Sequence, residues 1–139
     1  ADRTEDRPLD GLRILLAEDN ELNAEIAVEL LSHFGAEVDR AADGEEAVDR
    51  FVSGGEGRYD LVLMDIQMPR MNGYDAARAI RSLGRADSSL PILAMTADAF
   101  SEDVSRALET GMDGHIAKPI DIQNLLQTIG RAVKGGETR

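Results

Sequence analysis

The chain contains no cysteine, and that absence removes two chemistries together. Neither a disulfide framework nor a thiolate zinc site can form, which suits a reducing cytoplasm. Basic residues are scarce beside acidic ones: 15 Lys and Arg stand against 27 Asp and Glu, a formal charge of −12. Phosphate contacts need clustered Lys and Arg, so no nucleic-acid partner is expected. An acidic surface aids solubility and favours, at most, a basic or metal-bearing partner. Long apolar runs are missing too. Nothing approaches the roughly 18 residues of a membrane span, so this segment is expected to make no membrane contact and to lie in the cytoplasm. The opening "ADRTEDRPLDG" is polar and carries a proline, so it reads as a linker or frayed arm rather than a signal peptide. There is no internal repeat.

What is present suffices for one domain. The 139 residues are 42% apolar, enough for a single core without staples. Expected boundaries are an arm over 1–10, a domain over 11–133 and a disordered tail over 134–139. Within the domain two kinds of segment alternate. "RILLA" is a continuous apolar run of strand length. Ile26, Ala27, Leu30, Leu31 and Phe34 then fall at helical spacing, with Gly35 as a stop. "EVDRA" is a half-polar strand nearer the sheet edge, and "DGEEAVDRF" a short helix with acids in its first turn. "LVLM" and "PILAM" are buried strands, each followed by a helical stretch; Ser101 is a candidate cap for the second of these. "GHIA" is a short fifth strand. Ile122, Leu125, Leu126, Ile129 and Val133 stripe a last helix. Five strand–helix units with short connections imply a doubly wound α/β domain, a parallel sheet with helices on both faces.

In such sheets ligands bind beyond the carboxyl ends of the strands. Four of the five strands end there in a reactive group. The first ends in Glu18 and Asp19, the third in Asp65, the fourth in Thr96, and the fifth in Lys118, followed by Pro119. One explanation is purely structural: each carboxylate caps the following helix and Lys118 pairs with one of them. Three acids converging on one edge, however, repel one another and gain little as caps. A cation among them removes that cost. The donors are hard oxygens, with no His or Cys at ligand spacing, which points to Mg²⁺ (or Mn²⁺) over zinc. A hydroxyl and an ammonium facing the same metal suit a phosphoryl group, and a carboxylate can itself be the nucleophile that accepts it.

"ILLAEDNELN", "LVLMDIQMPRMNGYDAARAIR", "PILAMTADAF" and "GHIAKPI", in this order, resemble the receiver domain of two-component response regulators, over roughly residues 11–133. The wording "AEDN" and "MDIQMPRMNG" is most similar to receivers within hybrid sensor histidine kinases. The resemblance implies a flavodoxin-like sheet of strand order 2-1-3-4-5. It implies that Asp65 accepts a phosphoryl group from a phosphohistidine and that Glu18, Asp19, Asp65 and the backbone carbonyl of Gln67 hold Mg²⁺. Lys118 then pairs with the phosphoryl oxygens and Thr96 is the switch hydroxyl. His115 stands at the switch position, often Tyr or Phe in the family, and Lys118–Pro119 is a cis peptide. The implied partner is a histidine kinase or a histidine phosphotransfer domain. A second copy of the chain is another, through the face of the fourth helix, fifth strand and fifth helix. The resemblance also implies that the module catalyses its own phosphotransfer and dephosphorylation, and that its parent is a hybrid kinase that can be membrane-anchored.

Other motifs have plainer explanations. Met64, Met68 and Met71 suit core and loop packing, Asn72-Gly73 a turn, and Phe100 packing of the loop after Thr96. His33 carries no chemistry. Gln67 and Asp98, two residues after Asp65 and Thr96, serve equally as exposed loop positions or as flanks of a water path. A phosphatase of the haloacid dehalogenase type also combines Asp, Mg²⁺, Thr and Lys. There the nucleophile ends the first strand and a second Asp follows two positions on, whereas Asp65 ends the third strand and position 67 is Gln. A flavodoxin-like cofactor carrier is excluded because "AEDNELN" would repel a phosphate.

Overall fold

The computed structural model describes residues 9–68, 70–96, 102–118 and 120–137. Five strands run β1 (Arg13–Ala17), β2 (Glu37–Ala41), β3 (Leu61–Asp65), β4 (Ile92–Thr96) and β5 (Gly114–Ala117). They form one sheet of order β2-β1-β3-β4-β5, and every pairing is parallel. The helices are α1 (Glu21–His33), α2 (Gly44–Ser53), α3 (Gly73–Arg81), α4 (Glu102–Glu109) and α5 (Ile122–Glu137). A 3-10 turn over Ala86–Ser89, for which the sequence carries no periodic signal, leads into β4.

The pleat sorts the strand side chains onto two faces. Val62, Met64, Ile92 and Ala94 meet Ala47, Phe51, Ala77, Ile80 and Ala107 of α2, α3 and α4. Ile14, Leu16, Leu61, Leu63 and Ile116 meet Ala27, Leu31, Leu125 and Ile129 of α1 and α5. β3 and β4 are buried along their whole length, as continuous apolar runs require between two helical layers. β2 lies at the sheet edge and is half-exposed, which its charged residues permit.

Three expectations need correction. Leu9, placed in the arm, is 3% exposed and donates its N–H to the Phe34 carbonyl at 2.8 Å. An apolar side chain beside the α1 terminus gains more from burial than a solvated arm could offer. The backbone of α5 stays helical through Glu137, past the tail boundary at 134. No proline intervenes to remove a helical N–H and end the helix there. Ile26, counted in the apolar stripe of α1, is 48% exposed, whereas Ala24, Ala27 and Leu31 are buried. Spacings of three and four place that trio on one side, and Ile26 falls off it.

Candidate functional site

Each residue at the carboxyl edge is delivered by the end of a strand. Glu18 extends β1 by one more ladder bond, from its N–H to the Ala41 carbonyl at 3.0 Å. Asn20 then caps α1, its side chain accepting from the Asn23 N–H. Asp65 ends β3, and Gln67 donates its N–H to Asp65 Oδ1 at 3.2 Å. The chain returns at once: Gly73 N–H bonds the Ile66 carbonyl at 2.9 Å, and a Cβ there would strike the Asp65 carbonyl oxygen. Only glycine lets α3 start this close to the nucleophile candidate. Thr96 ends β4 buried, and its carbonyl accepts the Lys118 N–H at 2.8 Å.

These ends converge. Carboxylate oxygens of Glu18, Asp19 and Asp65 lie within 4.8 Å of one another. Lys118 Nζ stands 3.0 Å from Glu18 Oε1 and 3.0 Å from Asp65 Oδ2. The other Glu18 oxygen, Oε2, accepts the Asn20 N–H at 3.1 Å. All of them, with Asn23, Gln67 and Thr96, line an open cleft of about 300 Å³. Glu18 and Asp65 are buried whereas Asp19 is exposed at the mouth.

Electrostatics record the crowding. Burial pushes the Asp65 carboxyl up to about 6; the Lys118 bond and charge oppose this, and the Glu18 charge adds to it. The Lys118 ammonium is shifted upward: burial disfavours its charge, but hydrogen bonds to Glu18 and Asp65, together with their charges, outweigh that cost. One ammonium cannot neutralise three acids. The donor set consists of hard carboxylate oxygens with one exposed member, which fits a small oxygen-loving dication that keeps some of its water.

The other expected residues fall around this centre. His115 is half-buried on β5 and pairs with Ala94, so it shares a pleat face with Ala94 and Thr96. Gln67 is exposed at the cleft, and Met68 and Met71 pack against the core. Asn72 caps α3 by accepting the Asp75 N–H at 2.9 Å. Pro119, Asp98, Phe100 and Ser101 lie outside the described residues.

Two groups escape sequence reasoning. Arg40, on β2, donates from Nη2 to the Glu18 carbonyl at 2.9 Å and to the Asp19 carbonyl at 3.3 Å, and from Nε to the Glu18 carbonyl at 3.1 Å. Arg70, at a left-handed φ of 64°, donates to Asp43 Oδ2 at 2.9 Å, and Asp43 caps α2. Bonds from an edge-strand or loop arginine to remote groups leave no spacing signature.

Known proteins agree with this geometry. A probable histidine kinase of rice (Oryza sativa subsp. indica) is 39% identical over 143 residues, covering 94% of this chain. The chain spans 14% of that kinase's length. The receiver domain of a sensor histidine kinase from Pseudomonas aeruginosa PAO1, with a magnesium ion coordinated in its active site cleft, is 36% identical. It superposes with a TM-score of 0.78 over 89% of this chain and 98% of that one. Chemotaxis protein CheY4 of Vibrio cholerae is 28% identical, with a TM-score of 0.77 over 87% of this chain and 98% of its own. Residues 14–130 match the response regulator receiver domain, and with the strand order and the edge of acids, threonine and lysine in place, the chain belongs to that family of two-component signalling domains.

Proposed function

We propose that this receiver takes a phosphoryl group onto Asp65 from a phosphohistidine of a histidine kinase or histidine phosphotransfer domain. The observation that carries the reading is Lys118 bridging Asp65 and Glu18 at 3.0 Å each, with Asp19 completing the acid cluster at the cleft mouth. Glu18, Asp19, Asp65 and the backbone carbonyl of Gln67 are the residues that would hold Mg²⁺, or Mn²⁺ in its place. When bound, the ion neutralises charge on the phosphoryl oxygens.

The chain's own groups do the rest. An Asp65 oxygen attacks phosphorus, the P–O bond forms as the P–N bond to imidazole breaks, and the departing imidazole takes a proton from solvent. Lys118 exchanges one carboxylate partner for a phosphoryl oxygen. Thr96 donates its hydroxyl to another, and His115, on the same pleat face, repacks beside it. Phosphate can bias that change only by interacting better with one state than the other, which the Thr96 bond provides. The face formed by α4, β5 and α5 would pass the change to a partner or a second copy.

Intact-mass spectrometry after incubation with acetyl phosphate and Mg²⁺ tests the assignment. One phosphoryl adduct is expected on the parent and none on Asp65→Asn. A full-strength adduct on Asp65→Asn overturns it.

A further inference from the structure

The two acids that follow β1 are held unequally: Glu18 is buried and keeps its N–H bond to Ala41, whereas the turn beyond it is exposed. Asp19 is exposed, and so are Asn20, Glu21 and Asn23 beyond it. Packing therefore cannot fix where the Asp19 carboxylate points. The backbone carbonyls of Glu18 and Asp19 lie past the last β1–β2 register pair, Ala17↔Ala41, so the regular ladder does not restrain them either. Arg40 does. Its half-buried side chain reaches forward from the neighbouring strand, and its three described hydrogen bonds all end on these two carbonyls. The groove it lines also carries Glu21, Glu25 and Glu29 of α1, which would offer a guanidinium charged partners, yet its fork is spent on backbone.

We infer that Arg40 is a positioning residue for the metal pair, a planar clamp that holds the turn carrying Glu18 and Asp19 in its ligating geometry. The inference rests on the proposed role of those acids. A guanidinium suits the task because two of its nitrogens can grip one carbonyl while one also reaches the next, a geometry an ammonium cannot reproduce. Groups that orient metal ligands typically matter about 10- to 100-fold in affinity. Charge alone acts in the opposite sense: a fixed cation near the site repels a dication, so deleting it would tighten binding if the clamp did nothing. The two effects are separable by direction.

The experiment is an Mg²⁺ titration of the whole chain followed by NMR amide shifts, on the parent, Arg40→Met, Arg40→Lys, Arg58→Met and Asp19→Asn. Arg40→Met is expected to weaken Mg²⁺ about tenfold. Arg40→Lys, which keeps the charge and loses the fork, should weaken it severalfold. Arg58→Met, removing an arginine that pairs with Asp39 on the same strand, should leave it unchanged. Without metal, amide exchange across residues 18–23 should quicken in both Arg40 variants, a readout independent of the ion. Binding as tight as the parent's or tighter in Arg40→Met, or unaltered exchange in both variants, overturns the clamp. Asp19→Asn keeps the two readings apart. Its loss of Mg²⁺ binding together with an indifferent Arg40→Met sinks the clamp alone, whereas parent-like binding in Asp19→Asn sinks the ligand assignment beneath it.

Discussion

At the scale of single residues, the cost of the site is concentrated in Asp65. Its carboxylate follows four buried apolar residues, faces Glu18 and is only partly compensated by Lys118. The folded-state value, about 6, lies above the ordinary carboxylate range of an unfolded chain. Between about pH 4 and 6 the folded protein therefore binds more protons than the unfolded one, so metal-free stability declines as pH rises through that window. Above it, the full penalty remains. Asp65→Asn should consequently melt higher than the parent in EDTA at pH 7, by on the order of 1 kcal/mol or about 4 °C once the lost Lys118 bond is deducted. The gain should shrink toward pH 4. Thermal unfolding followed by circular dichroism checks both points, and a parent that melts higher at pH 7 would mean its Asp65 is not a strained carboxylate. Asp65 was legible from sequence for the same reason it is costly. A charge directly after "LVLM" has no packing explanation, and three other strands end in partners of matching chemistry.

At the scale of elements, what positions the site is the junction between β2 and α2. Arg40 holds the loop after β1, while Asp43 and Gly44 hold the loop after β3 through Arg70 and the Met71 carbonyl, the latter accepting the Gly44 N–H at 3.0 Å. A Cβ on Gly44 would land on that same carbonyl oxygen. Gly44→Ala should thus cost about 1–3 kcal/mol by overpacking and displace the loop that follows Asp65. Gly130 of α5 is the opposite case. Nothing lies within 4 Å of an added Cβ, and Gly130→Ala should gain about 0.5–1 kcal/mol from the backbone entropy term. Urea unfolding of the two variants should move the midpoint in opposite directions; a midpoint raised in Gly44→Ala would refute its packing account, and one lowered in Gly130→Ala the entropy account. The elements themselves were legible because buried strands, amphipathic stripes and glycine stops are local signals. The junction was not. Its bonds join residues 21 to 27 positions apart, from Arg40–Asp19 to Arg70–Asp43, and nothing in the local pattern around either arginine marks its distant partner.

At the scale of the whole molecule, the fold was readable as a class, and the strand order came with the resemblance, since parallel pairing leaves the order of strands open to any sequence of crossovers. The edge positions of β2 and β5 follow from that order. The same arrangement has a kinetic side. Among the described residues no strand has a hairpin neighbour, so every pairing must first close a long loop. Arg13↔Glu37 closes 24 residues and Ile14↔Leu61 closes 47, about a doubling, which favours the former by roughly 0.6 kcal/mol of chain entropy. The half-exposed edge strand β2 is then expected to dock before the fully buried β3, and β1–α1–β2 to form the early nucleus of the search. Refolding after denaturant dilution should slow when Leu31→Ala loosens that unit, while Ile129→Ala in α5 should chiefly speed unfolding; the reverse pattern would place the nucleus at the other end. The turn that carries Glu18 and Asp19 lies inside this first unit. The proposed metal-binding pair would therefore be assembled while the chain around Asp65 is still searching, and the order in which the site is built would be the order in which its acids appear along the chain.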